Sequence, residues 1–424
     1  MGDQRGLAMN GDFRRLWAGT AVSQFGSAVG SVAMPIVAVT ELGASTLEVS
    51  VLAAVTAVTV LALAFPVGGA VEFRRKRPVL IGSDILRFAA LLSVPVAAWA
   101  GVLSYVQLCV VAALNAVGVV AFDAGAQAHL KDLILRPARE PAALAGQRSP
   151  EPEPGTAAGR LAEANGRLES TRWVSVSAGS ALGGALAGLF TVFGALLIDA
   201  LSFLASAAAV RSIRRPEPAP PAPATHESRW ATLTGGLRFV SGHRVLRRHF
   251  ASWILFAGAV MMSAPLITVY YLRELRFTPL EFGLVMALPS LAGLAGARLA
   301  PRLATRLGAV RSIWWTSMAR GPWQFLIPLA VPGRAGWVMC LVAFTGVLFF
   351  AGMVNTSMST YRQLATPDDL MARVSSLWGF TQSAAQPVFI LAGGLMATVL
   401  PVRAVLLAGA VLYCASAVIL PRSE

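Results

Sequence analysis

Twelve stretches of roughly twenty predominantly apolar residues recur along this chain, at about 16–40, 49–71, 79–101, 105–127, 170–190, 192–210, 250–272, 281–303, 310–331, 336–358, 376–400 and 403–420. A helix of that length crosses the hydrocarbon core of a bilayer with every backbone polar group paired inside the segment. An all-α integral membrane protein with twelve transmembrane helices is therefore expected. Composition agrees, since 56% of the 424 residues are hydrophobic and only 13% are charged, outside the range of ordinary soluble domains. The apolar run after Arg14 and Arg15 extends to about Val39, too long for the core of a cleaved signal peptide, so it is read as the first span.

The formal net charge of +14 raises the question of an acidic partner. Placing the N-terminus in the cytoplasm puts about 29 of the 35 lysines and arginines on that face. The outer loops then hold only Arg273, Arg276, Arg334 and Arg403, and Arg87 and Arg320 lie inside helices. Such sorting reports topology, with both termini cytoplasmic in a cell membrane and the lipid bilayer as the surrounding partner; no nucleic acid is needed to explain it. Cys109, Cys340 and Cys414 each sit inside an apolar segment and imply neither a disulfide framework nor a metal set. No cofactor is expected, and no nucleophile and base set or phosphate loop points to an enzyme.

Two polar, proline-bearing gaps, 128–169 and 211–249, divide the spans six and six. The expected organisation is an N-terminal six-helix bundle at 1–211 with a proline-rich cytoplasmic insertion at 137–158, a linker at 212–249 and a C-terminal six-helix bundle at 250–424. Placing Arg87 on Arg320 also places Pro95 on Pro328, and with slight slippage brings FDAGAQAHLKDL onto VNTSMSTYRQLA, so the bundles read as pseudo-repeats. Five prolines in RRPEPAPPAPATHE, 214–227, predict an extended tether. Across 229–249, Trp230, Leu233, Leu237 and Val240 recur at helical spacing beside many cations, which predicts a helix on the membrane surface; Gly235 and Gly236 weigh against it.

Several pieces resemble the major facilitator superfamily, in particular its macrolide-efflux and enterobactin-exporter-like branch. They are FRRLWAGTAVSQFGSAVGSVAMPIV in the first span, GSDILRFAALL in the third, FDAGAQAHL closing the fourth, LAEANGRLESTR before the fifth, LLIDALSFLASA in the sixth and GLRFVSGHRVLRR before the seventh. The resemblance implies the major facilitator fold in a monomer. It also implies export of an amphipathic small molecule, such as an antibiotic, siderophore or related natural product, by alternating access, usually driven by protons. In the family, the loop between spans two and three is a cytoplasmic latch. Here Gly68, Glu72, Arg75, Lys76 and Arg77 occupy it, with Phe73 where the first arginine is usual, and Asp84 and Arg87 follow one helix further on. The same cations also serve topology alone. The fifth-span antiporter motif is altered to GSALGG, with Ser180 at the proline position, and its glycines read as helix-packing residues. The fourth span lacks the arginine typical of drug antiporters, which leaves an uncoupled transporter-like scaffold or sensor as the alternative reading.

Ionisable groups in hydrocarbon need a partner, a wet cavity or a task. Asp84, Asp123 and Asp199 are the embedded acids, all in the first half, so any proton coupling must run through them. Asp84 is three residues from Arg87, a pairing distance on one helix, and Asp199 is placed by family geometry to pair with Arg87. Asp123 lies in the cytoplasmic third of a cavity-lining helix, where it is either a proton carrier or half of a helix-end ion pair. Arg320 reads as a cation-π residue beside Trp314, Trp315 and Trp323, or as an anion binder. For contact with a small-molecule substrate the candidates are the amides Gln24, Asn115, Asn355, Gln382 and Gln386, with Phe256 and Met262 among the residues that offer an adaptable apolar wall.

Overall fold

The computed structural model describes residues 11–135, 191–217 and 229–422, together with residues placed at intervals between 164 and 186. The described residues are helical wherever they form an element, in the order α1 Gly11–Ile36, α2 Thr46–Glu72, α3 Lys76–Trp99, α4 Tyr105–Leu135, α5 Val192–Arg211, α6 Arg229–Gly242, α7 Arg244–Val269, α8 Pro279–Leu307, α9 Ala309–Leu329, α10 Arg334–Ala365, α11 Asp368–Val399 and α12 Val402–Val418. Further helical residues between Ala164 and Leu186 belong to the fifth span, so α5 is the sixth span and α7 to α12 are the seventh to twelfth. Among the described residues, eight helices are long and apolar enough by themselves to cross a membrane. The others fall short for local reasons. The fifth span is described only in part, α9 carries Arg311 and Arg320, α11 begins in the polar stretch DDLMARVSS, and α12 has 17 residues. The proline-rich insertion at 137–158 and most of the expected tether lie outside the described residues.

The repeat is written into local backbone chemistry. A π-helical turn ends α1 at Val37–Glu41, and another ends α7 at Tyr270–Glu274. Each is followed by a residue in the left-handed region, Gly43 at φ 63° and Arg276 at φ 56°. Each is then followed by a capping box, Ser45 with Glu48 opening α2 and Thr278 with Glu281 opening α8. In a capping box the hydroxyl takes the N3 amide while the glutamate takes the N-cap amide, so two orphan donors are satisfied and the helix start is fixed. All of these pairs, like Arg87 and Arg320, are 233 residues apart.

Packing repeats in the same way. In the first half α1 and α3 pack on α5, α3 on α4 and α2 on α4; in the second, α7 and α9 pack on α12, α9 on α10 and α8 on α10. The halves meet through α2 against α11 and, to a lesser extent, α2 against α7. At the end of the bundle distal to the termini the junction is buried and largely apolar. Val39, Ala44 and Val49 share one buried cluster with Tyr270, Tyr271, Phe277 and Phe282, and Arg273 Nη2 donates to the Ala44 carbonyl at 2.6 Å. A Cβ at Gly184 would lie 2.5 Å from the Gly283 Cα, so the fifth span touches α8 backbone to backbone. Gly183 stands equally close to the Val29 carbonyl of α1, at 2.6 Å. These are the glycines of the altered GSALGG motif, and small residues are what such contact requires; Ser180 lies outside the described residues.

The linker differs from a free tether where it can be seen. Arg214 and Arg215 donate their backbone amides to Asp12 at 3.0 and 3.1 Å, and Arg215 Nη1 donates to the Leu133 carbonyl at 3.1 Å. The start of the linker therefore ties α1 to α4. Helix α6 packs on α11 through the two glycines that had weighed against it: a Cβ at Gly236 would lie 2.6 Å from the Arg373 carbonyl, and one at Gly235 would lie 3.1 Å from the Arg373 side chain. Val240 is buried with Leu246, Val374, Leu377 and Trp378, whereas Leu237 is exposed.

Candidate transport site

The first half centres on Arg87. Burial of a guanidinium requires that its donors and its charge be answered locally. Its Nε donates to Asn115 Oδ1 at 3.0 Å, its Nη2 to Ser27 Oγ at 2.8 Å, and its plane lies 3.8 Å from the Phe203 ring centroid. Asp199, Asp84 and Asp123 supply the negative charge it feels, in decreasing order. Asp84 and Asp199 are themselves buried; no short hydrogen bond reaches either oxygen of Asp84 or one of Asp199, although the Ser206 hydroxyl of α5 stands close enough to bear on Asp84. Asp199 is accommodated because Gly30 on α1 leaves room for its carboxylate. The hydrogen bonds of Arg87 thus go to Ser27 and Asn115, while the carboxylates bear on it as charges. Asn115, expected to face substrate, is a ligand of Arg87. Asp123 lies a little beyond the middle of α4, exposed and engaged in an interaction of its own.

The equivalent cation of the second half is answered differently. Arg320 is buried, with Nε and Nη1 lacking hydrogen-bond partners, and its guanidinium carbon lies 3.8 Å from the Phe256 centroid and 4.7 Å from that of Tyr413. The cation-π role expected at Arg320 is present, but its rings are Phe256 and Tyr413. Trp314 receives Arg422 instead, and Trp323 packs on Gly346. Phe256 accordingly carries Arg320 on its face. Met262 is buried against Gly393 and Gly409, so it is a core residue of α7 where a cavity wall was expected.

Asn355 on α10 and Gln382 on α11 do come together. They line a cavity of about 270 Å³ with His249 and Trp253 of α7, Arg362 of α10 and Trp378 of α11. Gln386, one turn beyond Gln382, is half-buried outside that lining, and Gln24 has a buried Oε1 without a partner. Sequence reasoning missed His249 and Arg362, since a histidine and an arginine near helix ends read as topology residues.

At the expected latch, the turn after Glu72 is short and Lys76 folds back over it, donating Nζ to the carbonyls of Val71 and Arg74 at 2.8 Å each. Glu217 of the linker accepts the backbone amides of Lys76 and, at 3.3 Å, of Arg77, while the Arg77 guanidinium donates to the Arg215 carbonyl. A carboxylate on the first amides of a helix satisfies orphan donors and complements the macrodipole. Arg75 is the exposed N-cap of α3. Gly68 and the side chain of Glu72 lie outside the described positions.

The sequence profile of the Major Facilitator Superfamily matches residues 16–390. The multidrug efflux pump Tap of Mycolicibacterium fortuitum is 26% identical over 392 residues, covering 90% of this chain and 88% of that one. A bacterial homologue of the iron transporter ferroportin in its inward-facing state superposes with a TM-score of 0.71 at 17% identity, over 96% of this chain and 97% of that one. Its outward-facing state gives 0.57 at 17% identity, over 96% and 98%. Two repeats of membrane-length helices, packed together at one end among the described residues, thus coincide with a profile that covers most of the sequence: the chain belongs to the Major Facilitator Superfamily, and it is a multi-pass membrane transporter.

Proposed function

We propose that this transporter exports an amphipathic small molecule across the cell membrane by alternating access, driven by proton entry, with both termini in the cytoplasm. The arginine asymmetry supports the orientation. The sealed distal end, and the closer superposition on an inward-facing structure, support a state open to the cytoplasm. The observation that carries proton coupling is the Arg87 site. Two buried carboxylates, Asp199 and Asp84, and more weakly the exposed Asp123 bear on one buried guanidinium, so the net charge of the site depends on how many protons it holds. Asp123 is the exposed member and the proton's entry point, and Asp84 and Asp199 are the buried members whose charge sets how firmly α1, α3 and α5 hold together. The name of the Tap relative supports efflux as the direction.

The test uses inverted membrane vesicles energised to an inside-acid gradient and a panel of anionic, cationic and neutral fluorescent amphipaths. Uptake of at least one dye is expected, abolished by a protonophore and by Asp123→Asn at equal protein level. Uptake that survives both treatments would refute coupling through this site.

A further inference from the structure

Within the apolar junction at the distal end, Arg273 makes a contact of a different kind. It lies in the π-helical turn that ends α7 and donates Nη2 across to the other half, to the Ala44 carbonyl at 2.6 Å and, at 3.5 Å, to the Val39 carbonyl. Both acceptors lie between α1 and α2. Single π-helical turns inside or at the ends of α-helices recur at functional sites, because they re-aim the side chains they carry.

Donor and acceptor are each anchored to their own half. Next to Arg273, the Glu274 carboxylate meets Arg403 of α12 at 3.3 Å, Arg403 Nη2 donates to the Ala330 carbonyl at 3.3 Å, and Tyr270 donates its hydroxyl to the same carbonyl at 2.9 Å. Across the junction, the Ala44 amide donates to the Ala38 carbonyl at 2.8 Å, and Tyr105 of α4 donates its hydroxyl to the Glu48 carbonyl at 2.8 Å. A bond with both ends fixed in this way has to break when the halves part.

The repeat shows that the crossing is one-sided. The position 233 residues before Arg273 is Thr40, whose hydroxyl donates to the Ile36 carbonyl of its own helix at 2.9 Å. Other close approaches between the halves near this end are steric: a Cβ at Gly394 of α11 would lie 2.5 Å from the Ser50 Cβ of α2, and Gly184 faces Gly283. Such seams fix how closely the helices approach. A guanidinium on a carbonyl adds a directional, charge-assisted bond, and its acceptor does not titrate.

We infer that Arg273 is a positioning residue of the transport cycle: its bond to the Ala44 carbonyl holds the distal end closed and has to be released before that end can open. The inference rests on the alternating access proposed above, but the separation of the halves can be read with neither gradient nor cargo.

The experiment places spin labels at Val102→Cys and Val331→Cys, exposed positions in distal loops of opposite halves. The full-length protein, with Cys109, Cys340 and Cys414 replaced by alanine, is reconstituted in lipid nanodiscs, and the distance between labels is measured by double electron–electron resonance. The parent protein should give mainly the short distance. Arg273→Met, which keeps the length but removes the donors, should raise the ratio of long to short distances about fivefold or more, as expected for loss of a bond from a charged donor. Arg273→Lys, which keeps the charge and a donor, should recover part of the short population. Arg334→Met, which removes another exposed cation from the same end, should leave the distribution unchanged. An unchanged distribution in Arg273→Met, or an equal shift in Arg334→Met, would overturn the inference. A shift specific to Arg273→Met in a protein that moves no dye would uphold it and count against export alone.

Discussion

Arg87 and Arg320 occupy the same position in the two halves, 233 residues apart on the third helix of each, yet they are held by different chemistry. Each rests on an aromatic ring from the sixth helix of its own bundle, Phe203 for Arg87 and Tyr413 for Arg320. From the first helix, Arg87 receives a hydroxyl, Ser27, where Arg320 receives a second ring, Phe256. Arg87 shares its half with the buried carboxylates Asp84 and Asp199, which bear on it as charges; Arg320 rests between the Phe256 and Tyr413 rings. One half therefore holds a charge set that protons can rewrite, and the other holds a fixed positive charge in an aromatic sleeve. The repeat supplies the common frame, and on the proposed coupling through Arg87 the divergence at this pair of positions would divide the labour, one half titrating and the other holding a fixed charge.

The largest test of this difference is to remove each cation with a side chain of similar shape. Arg87→Met strands Asp84 and Asp199 in a dry site, and breaking a buried charge set by deleting one partner costs about 3–5 kcal/mol. Arg320→Met loses a cation-π contact of roughly 0.5–2 kcal/mol but also relieves a buried charge with unmade hydrogen bonds, so its net effect should stay within about 1 kcal/mol of zero. Apparent melting temperature in detergent should fall sharply for the first and little for the second. Adding Asp84→Asn and Asp199→Asn to Arg87→Met should restore part of the loss. Equal losses for the two arginine variants, or no rescue by the amides, would show that the halves are balanced in the same way.

Much of the frame was legible because membrane insertion leaves a coarse code. Length and hydropathy of the spans, the sorting of arginines and the two polar gaps all follow from the bilayer, which acts on each segment locally. The repeat was legible in part. Arg87 with Arg320 and Pro95 with Pro328 mark it, but the stronger signal is Glu41-Leu42 with Ser45 and Leu47-Glu48 against Glu274-Leu275 with Thr278 and Leu280-Glu281, a capping element that hydropathy does not weigh. The site was less legible, because its contacts join residues far apart in the chain. Three tryptophans lie within six residues of Arg320, yet its rings come from Phe256 and Tyr413 on other helices. Asn115 is an amide in hydrocarbon whether it meets substrate or Arg87, and only packing distinguishes the two. Periodicity places a side chain on a helix but does not say which neighbour the helix will have.

A second test concerns how each half seats its first helix against its sixth. In the first half the glycine is on the first helix: Gly30 leaves space that the Asp199 carboxylate fills. In the second half the arrangement is reversed, with Gly409 on α12 leaving space for the Ser263 hydroxyl of α7. Gly30→Ala must displace a carboxylate that belongs to the Arg87 set, and overpacking of this kind costs about 1–3 kcal/mol. Gly409→Ala meets the Ser263 hydroxyl, which can rotate away only by giving up its 2.9 Å bond to the Ala259 carbonyl, so its cost should lie near the lower end of that range, about 1 kcal/mol. If proton coupling runs through Asp199, Gly30→Ala should also reduce gradient-driven uptake more than Gly409→Ala does at matched protein level. A larger effect from Gly409→Ala on either measure would contradict the assignment of the titrating half.

The smallest effect is expected where the two halves are most alike. Gly43 and Arg276 hold the same left-handed turn between a π-helical end and a capping box, but only glycine takes that conformation without a Cβ clash. Arg276 is exposed, and a Cβ at Gly43 would meet nothing within 4 Å, so neither position is explained by packing. Arg276→Gly removes a strain of roughly 1–2 kcal/mol and adds about 0.4–1 kcal/mol of chain entropy to the unfolded state, for a net gain of up to about 1 kcal/mol. Gly43→Ala should lose a comparable amount. The apparent melting temperature should therefore rise by a few degrees at most for the first variant and fall for the second, with dye uptake unchanged in both because neither residue reaches a charge set. Opposite signs of similar size would establish that this turn is one shared structural element, against which the difference between Arg87 and Arg320 can be read as a divergence in function.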